Sequence, residues 1–134
     1  MNSQVNNLKG STSETVSGWT FNGVKAGPWN ENAAEWGCAN ASWFGWTWPG
    51  AASIDTTLRG KGKAILEFGN CHKRGNVAVY LNDVELSSVG ANSEDQVEFE
   101  FQDGDVLKIQ EESESWTSGV IKFKSLDFIS CSSA

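Results

Sequence analysis

The run Val97-Glu98-Phe99-Glu100-Phe101-Gln102 alternates a large apolar side chain with an acidic or amide one at every step. A period of two means a strand with one face toward a core and the other toward water, because successive Cβ atoms point to opposite sides. The same period recurs through most of the chain. Ile54, Thr56 and Leu58 share one face, as do Ala64, Leu66 and Phe68 with Glu67 opposite. Val77, Val79 and Leu81 form another set, then Val84 and Leu86, Leu107 and Ile109, Ile121 and Phe123, and Leu126 and Phe128. Between these runs stand turn residues: Arg59-Gly60-Lys61-Gly62, Gly69-Asn70, Asn82-Asp83 and Asp103-Gly104. Asp-Gly is the strongest hairpin signal among them and predicts Leu107 and Ile109 on the return strand. Short strands about 8–12 residues apart with turns between them predict a sandwich or barrel. Polar outer faces select two antiparallel sheets, so the predicted fold is an all-β, two-sheet antiparallel β-sandwich.

At 134 residues the chain makes one domain and can bury a real core. Residues 1–17 are polar and read as a lead-in or an edge strand; residues 18–134 form the sandwich. Strand spacing is too uneven for a repeat architecture. No stretch approaches the ~20 apolar residues of a membrane span. Met1-Asn2-Ser3-Gln4 shows no signal peptide, which leaves a cytosolic chain or the mature part of a secreted one.

The net charge is −7, which argues against nucleic acid, whose phosphates need clustered Lys and Arg. The one compact basic run, His72-Lys73-Arg74, reads first as a solvated turn. Three cysteines, Cys38, Cys71 and Cys131, fit no zinc spacing and no Cys-x-x-Cys motif. They make either one disulfide with one thiol left over or three buried thiols. The favoured pair is Cys71–Cys131, a staple tying the last strand into the sheet. Asn40-Ala41-Ser42 is an N-glycosylation sequon of a kind common by chance.

The seven Trp are unevenly spread: Trp29, Trp36, Trp43, Trp46 and Trp48 fall within twenty residues, joined by Phe44. Three readings compete. Indoles are bulky and usually buried, so the segment can be core. Yet a run with aromatics at both even and odd positions is hard to bury on both sides in a small domain. Exposed indoles offer flat apolar faces suited to the C–H face of a pyranose, and Asn30, Glu31, Asn32, Glu35 and Asn40 supply polar partners nearby. A protein–protein surface is the third reading. Trp116 stands alone in the acidic loop Glu111 to Gly119, where burial against the aromatic segment competes with exposure.

Catalytic signals are weak. His72 is the only histidine, so a Ser–His–Asp arrangement hangs on one residue in a basic loop. Gly60-Lys61-Gly62-Lys63 lacks the spacing of a phosphate loop. Asp103-Gly104-Asp105 reads as a turn before it reads as a calcium site.

Several features then line up: a strand ending at Leu58, the Gly60-Lys61-Gly62 turn, a strand ending Phe68-Gly69-Asn70, and the ladder Val77 to Asp83. Gly104 to Ile109 and a closing Gly119-Val120-Ile121 through Leu126-Asp127-Phe128 complete the set. This pattern, over about 80 residues, resembles the galactose-binding-domain-like jelly-roll sandwiches of lectins and carbohydrate-binding modules. The resemblance implies a jelly roll with its ligand in loops at one end or on a sheet face, and a structural calcium is common in such modules. It carries over no site residue, and the Trp cluster departs from the general pattern.

The expected function is a carbohydrate-binding, lectin-like module, not an enzyme, with a glycan or oligosaccharide as partner. Trp43, Trp46, Trp48 and Trp116 are the expected stacking residues, with Glu35, Asn40 and Arg74 bonding hydroxyls. No cofactor or catalytic residue is assigned. An extracellular location goes with this reading. The rivals are an interaction or self-assembling domain using the Trp patch, as in a homo-oligomer, and a small hydrolase.

Overall fold

The structure, a computed structural model, describes residues 3–5, 15–16, 18–22, 24–26, 42–46, 52–112 and 120–129. Among these residues there are twelve strands and no helix. They are β1 (Ser3–Val5), β2 (Thr15–Val16), β3 (Trp19–Asn22), β4 (Val24–Ala26), β5 (Ser42–Trp46) and β6 (Ser53–Thr57). Then follow β7 (Gly62–Asn70), β8 (Asn76–Leu81), β9 (Val84–Val89), β10 (Ser93–Phe101), β11 (Val106–Glu112) and β12 (Ile121–Ile129).

The strands form two six-stranded antiparallel sheets. Sheet 1 runs β10-β7-β12-β5-β4, with β1 also on β12; sheet 2 runs β2-β3-β6-β11-β8-β9. The predicted two-sheet antiparallel sandwich is therefore the observed fold. Its two inner faces supply the core, because one side of β6, β7, β8, β11 and β12 is apolar. Ile54, Ala64, Leu66, Phe68, Val77, Val79, Leu107, Ile109, Ile121 and Phe123 are all fully buried. Trp19 on β3 meets Phe123 on β12 edge to face, with ring centroids 5.4 Å apart, and so joins the two sheets. Trp19 is one indole that is plainly core, at 1 % exposure.

β12 shows how the backbone rescues a pattern. Phe123 and Leu126 are an odd number of residues apart, so strict alternation would turn one of them to solvent. Both are buried because the register against β7 shifts between Phe123 and Ser125. A bulge absorbs one residue and restores the apolar face.

Two expectations need correction. Asp103-Gly104 does turn the chain, with Gly104 at φ +93° and Asp105 N–H donating to the Gln102 carbonyl at 3.0 Å. It does not close a hairpin within a sheet, however: β10 lies in sheet 1 and β11 in sheet 2. Local turn chemistry specifies a reversal, while the pairing partner is set by burial elsewhere. The true two-residue hairpin is Asn82-Asp83, both with positive φ (50° and 66°), between the paired strands β8 and β9. Val84, expected on an inner face with Leu86, is 64 % exposed, while Leu86 packs against the core. The cause is local: Val84 closes the hairpin opposite Leu81, and the register shifts between Val79 and Tyr80.

Candidate functional site

Strand register gathers one set of termini. Asn70, the last residue of β7, pairs with both Ile121 and Ser93, the first residues of β12 and β10. Ile121 pairs with Phe44, two residues from the end of β5. In the other sheet, Glu112 at the end of β11 pairs with Asn76 at the start of β8, and Gln110 pairs with Ser53 at the start of β6. The five-residue connection 71–75 joins β7 to β8 across the two sheets, so these termini all lie at one end of the sandwich.

Asn70 organises that end. Its side chain is 1 % exposed and its hydrogen-bonding capacity is filled. Oδ1 accepts from the N–H groups of His72 at 2.9 Å and Val120 at 3.0 Å. Nδ2 donates to the carbonyls of Arg74 at 3.1 Å and Gly75 at 3.0 Å. One amide thus fixes both ends of the 71–75 loop and ties it to the residue that enters β12. The Cys71 N–H donates to the Val120 carbonyl at 3.2 Å, and the Asn92 N–H donates to the His72 carbonyl at 2.9 Å. The loop is therefore held against both neighbouring connections. His72 accepts the Arg74 N–H on Nδ1 at 3.0 Å, so its ring is part of the turn. Burial holds this imidazole below its usual titration range, reinforced by the charges of Lys73 and Arg74.

The approach to β6 is anchored at the same end. Glu111, 1 % exposed, accepts the Ala52 N–H on Oε1 at 3.0 Å, and its own N–H donates to the Ala52 carbonyl at 2.9 Å. Residues 47–51 run from the end of β5 to this clamp, and residues 113–119 run from the end of β11 to Val120.

The expected site residues fall as follows. Trp43 and Trp46 lie on β5, with Trp43 opposite Lys122 and Trp46 opposite Val24. Arg74 is exposed in the 71–75 loop. Trp48, Trp116, Glu35 and Asn40 lie outside the described residues, as do Cys38 and Cys131. The described flanks of Trp48 (Trp46 and Ala52) and of Trp116 (Glu112 and Val120) belong to the organised end, together with Arg74. The connection holding Glu35 and Asn40 starts at Ala26, which pairs with Phe44 and so shares a cross-strand row with Ile121 and Asn70. Cys71 is buried beside Val120, whereas Ile129 pairs with Lys63 at the far end of β7.

The structure adds a polar surface that the sequence did not single out. On the outer face of sheet 2, Thr20, Asp55, Lys108, Tyr80 and Glu85 form one cross-strand row over five strands. Asn22 Nδ2 donates to Asp55 at 2.8 Å, and the Lys108 ammonium lies 5.5 Å from the Tyr80 ring centroid. The Tyr80 hydroxyl donates to Glu112, and this bond, with burial and the charges of Glu112 and Glu85, pushes the phenol up to about 12. The available signal was Tyr80 standing out of phase with Val77 and Val79. In the sequence Asn70 marks only the break after β7; a polar residue at a strand end gives no cue to four partners.

Among the described residues no three His, Cys, Asp or Glu side chains are placed to hold a metal ion. No described helix is long and apolar enough to cross a membrane.

No family model matches the chain, and no curated protein matches it in sequence. Solved structures do match in shape. A family 35 carbohydrate-binding module from Clostridium thermocellum superposes with a TM-score of 0.57 at 10 % identity, covering 96 % of this chain and 99 % of that one. A variant of a family 29 carbohydrate-binding module gives 0.60 at 10 % identity, covering 98 % and 93 %. A family two carbohydrate esterase from Cellvibrio japonicus gives 0.54 at 19 % identity, covering 96 % of this chain but only 34 % of the esterase. With strand topology and these superpositions together, the chain has the two-sheet, jelly-roll sandwich fold that these carbohydrate-binding modules have.

Proposed function

We propose that this chain is a carbohydrate-binding module that takes its glycan at the end of the sandwich organised by Asn70. The observation that carries the reading is the convergence there of Arg74, the end of β5 at Trp46, and the flanks of the connections bearing Trp48 and Trp116. A rigid two-sheet frame with aromatic and polar residues on its end loops is a general way to build a ligand site. In this reading Trp46, Trp48 and Trp116 stack on sugar rings, and the Arg74 guanidinium bonds hydroxyls. Trp43, in the register row of Lys122 and Gly69, extends the surface along sheet 1. Glu35 and Asn40 are the further polar partners.

The same reading places the module outside the cell and gives it no turnover of its own. His72 supports this, since its Nδ1 is engaged by the loop backbone. No cofactor is part of this reading; melting temperature with and without a chelator tests for the structural calcium common among modules of this fold.

The experiment is retention on a panel of soluble and insoluble polysaccharides, followed by calorimetry and Trp emission on whichever is bound. Trp46→Ala, Trp48→Ala, Trp116→Ala and Arg74→Ala are compared with wild type. Indoles at a binding centre dominate affinity, so at least one Trp variant loses about tenfold or more, roughly 1.4 kcal/mol. Failure of every polysaccharide to be retained overturns the reading. Binding that survives all four substitutions but is lost in Tyr80→Ala moves the site to the outer face of sheet 2.

A further inference from the structure

We propose that Cys71 is held in a disulfide and that its other half is Cys38, not Cys131. Reach along strands of known register decides the pairing. β7 and β12 run antiparallel with Asn70 opposite Ile121 and Lys63 opposite Ile129. Cys71 follows Asn70 directly, so it stands eight residues along β7 from the level of Ile129, about 26 Å at the usual strand rise. Cys131 is two residues beyond Ile129, and two residues span at most about 7 Å. A disulfide needs Cα atoms within about 7 Å. The C-terminal cysteine falls far short of Cys71 whatever path residues 130 and 131 take.

Cys38 passes the same test. Ser42 pairs with Phe123, and Phe123 pairs with Phe68, three residues from Cys71. Two strand spacings across and three residues along separate Ser42 from Cys71 by about 14 Å. Cys38 is four residues before Ser42, with a reach of up to about 14 Å, so a bond to Cys71 lies well within range. Cys71 itself is 2 % exposed, with Sγ 3.9 Å from the Val120 carbonyl oxygen, in the loop that Asn70 fixes. One side of the bond is thus already rigid.

Formation is a two-electron oxidation. The two thiols lose two protons and two electrons as the S–S bond forms, and a disulfide oxidant such as oxidised glutathione takes them up as its own S–S bond breaks. The bond fastens the 27–41 connection, with Glu35, Trp36 and Asn40, to the end that carries Arg74. This consequence for ligand binding rests on the carbohydrate reading; the bond itself does not.

Trypsin tests it without any sugar. Cleavage after Lys25, Arg59, Lys63, Lys73 and Lys124 puts each cysteine in its own peptide: 26–59, 64–73 and 125–134. The full chain, refolded in a glutathione redox buffer, is alkylated at acid pH and digested without reduction. The expected result is 26–59 joined to 64–73, with 125–134 alkylated at Cys131. The Cys131→Ser protein keeps the joined pair, and Cys38→Ser loses it. A 64–73 peptide joined to 125–134, or three alkylated cysteines in wild type, overturns the inference. If the bond is confirmed and no polysaccharide is retained, only the carbohydrate reading fails.

Discussion

Replacing Asn70 with Ala removes four hydrogen bonds at once, and the structure allows the cost to be apportioned. The Val120 N–H is the most exposed to loss, because Val120 is 1 % accessible and water cannot replace Oδ1. An unmet buried donor costs about 1–3 kcal/mol. The His72 N–H sits in a half-buried residue, so water recovers part of its bond. The two carbonyls, of Arg74 and Gly75, lose one donor each at the more open side of the loop. Together the loss is about 2–4 kcal/mol, a large share of the ~5–15 kcal/mol that holds a domain folded. Equilibrium urea unfolding measures it, and amide hydrogen exchange at Val120 and His72 locates it. Asn70→Asp separates the two halves of the network. It keeps both acceptor contacts but turns a carboxylate toward the two carbonyls, so it too destabilises at neutral pH. An Asn70→Ala protein within about 0.5 kcal/mol of wild type, with Val120 exchange unchanged, would refute the reasoning.

Two further outcomes follow from the same geometry. A Cβ on Gly69 would stand 2.7 Å from the Ser93 carbonyl oxygen and 2.9 Å from Glu94 Cγ, so Gly69→Ala must push β10 off β7 and costs about 1–3 kcal/mol by urea unfolding. Gly60→Ala is the control: nothing lies within 4 Å, and only its φ of +76° resists, at about 1 kcal/mol; equal effects at the two sites would discredit the β7–β10 register. Tyr80 is the only tyrosine, so absorbance at 295 nm reports it alone, with a midpoint at about 12 that Glu112→Gln moves back toward the usual value. Because the folded pKa is the higher one, this contribution to stability is complete below about pH 10 and is lost as pH rises toward 12; an unshifted titration would remove the Tyr80–Glu112 bond.

The architecture was legible because it rests on period-two burial, which every inward residue of β6, β7 and β11 obeys. Where the structure departs from the sequence pattern, the deciding force is non-local. Asp103-Gly104 carries the chemistry of a reversal whether the next strand pairs alongside or crosses to the opposite sheet. The odd step from Phe123 to Leu126 was silent about the bulge that accommodates it. The candidate site was legible only as a set of residue types. That Arg74, the end of β5 and the start of β12 share one end is a property of register between strands far apart in sequence. Asn70 illustrates the limit: its position at a strand end was visible, but its four partners exist only once β7, β8 and β12 have been brought together.

The placement of β12 has a consequence for how the protein is made. This strand is the interior member of sheet 1, flanked by β7 on one side and by β5 and β1 on the other. It also follows every other described strand in the chain. Until it is made, β1 lacks its described partner, the β4–β5 pair is severed from β7, and one edge of β7 stands open as a template for stray pairing. A nascent chain therefore cannot finish this sheet piecemeal, and assembly waits for contacts spanning most of the polypeptide, a topology that folds in about milliseconds to seconds.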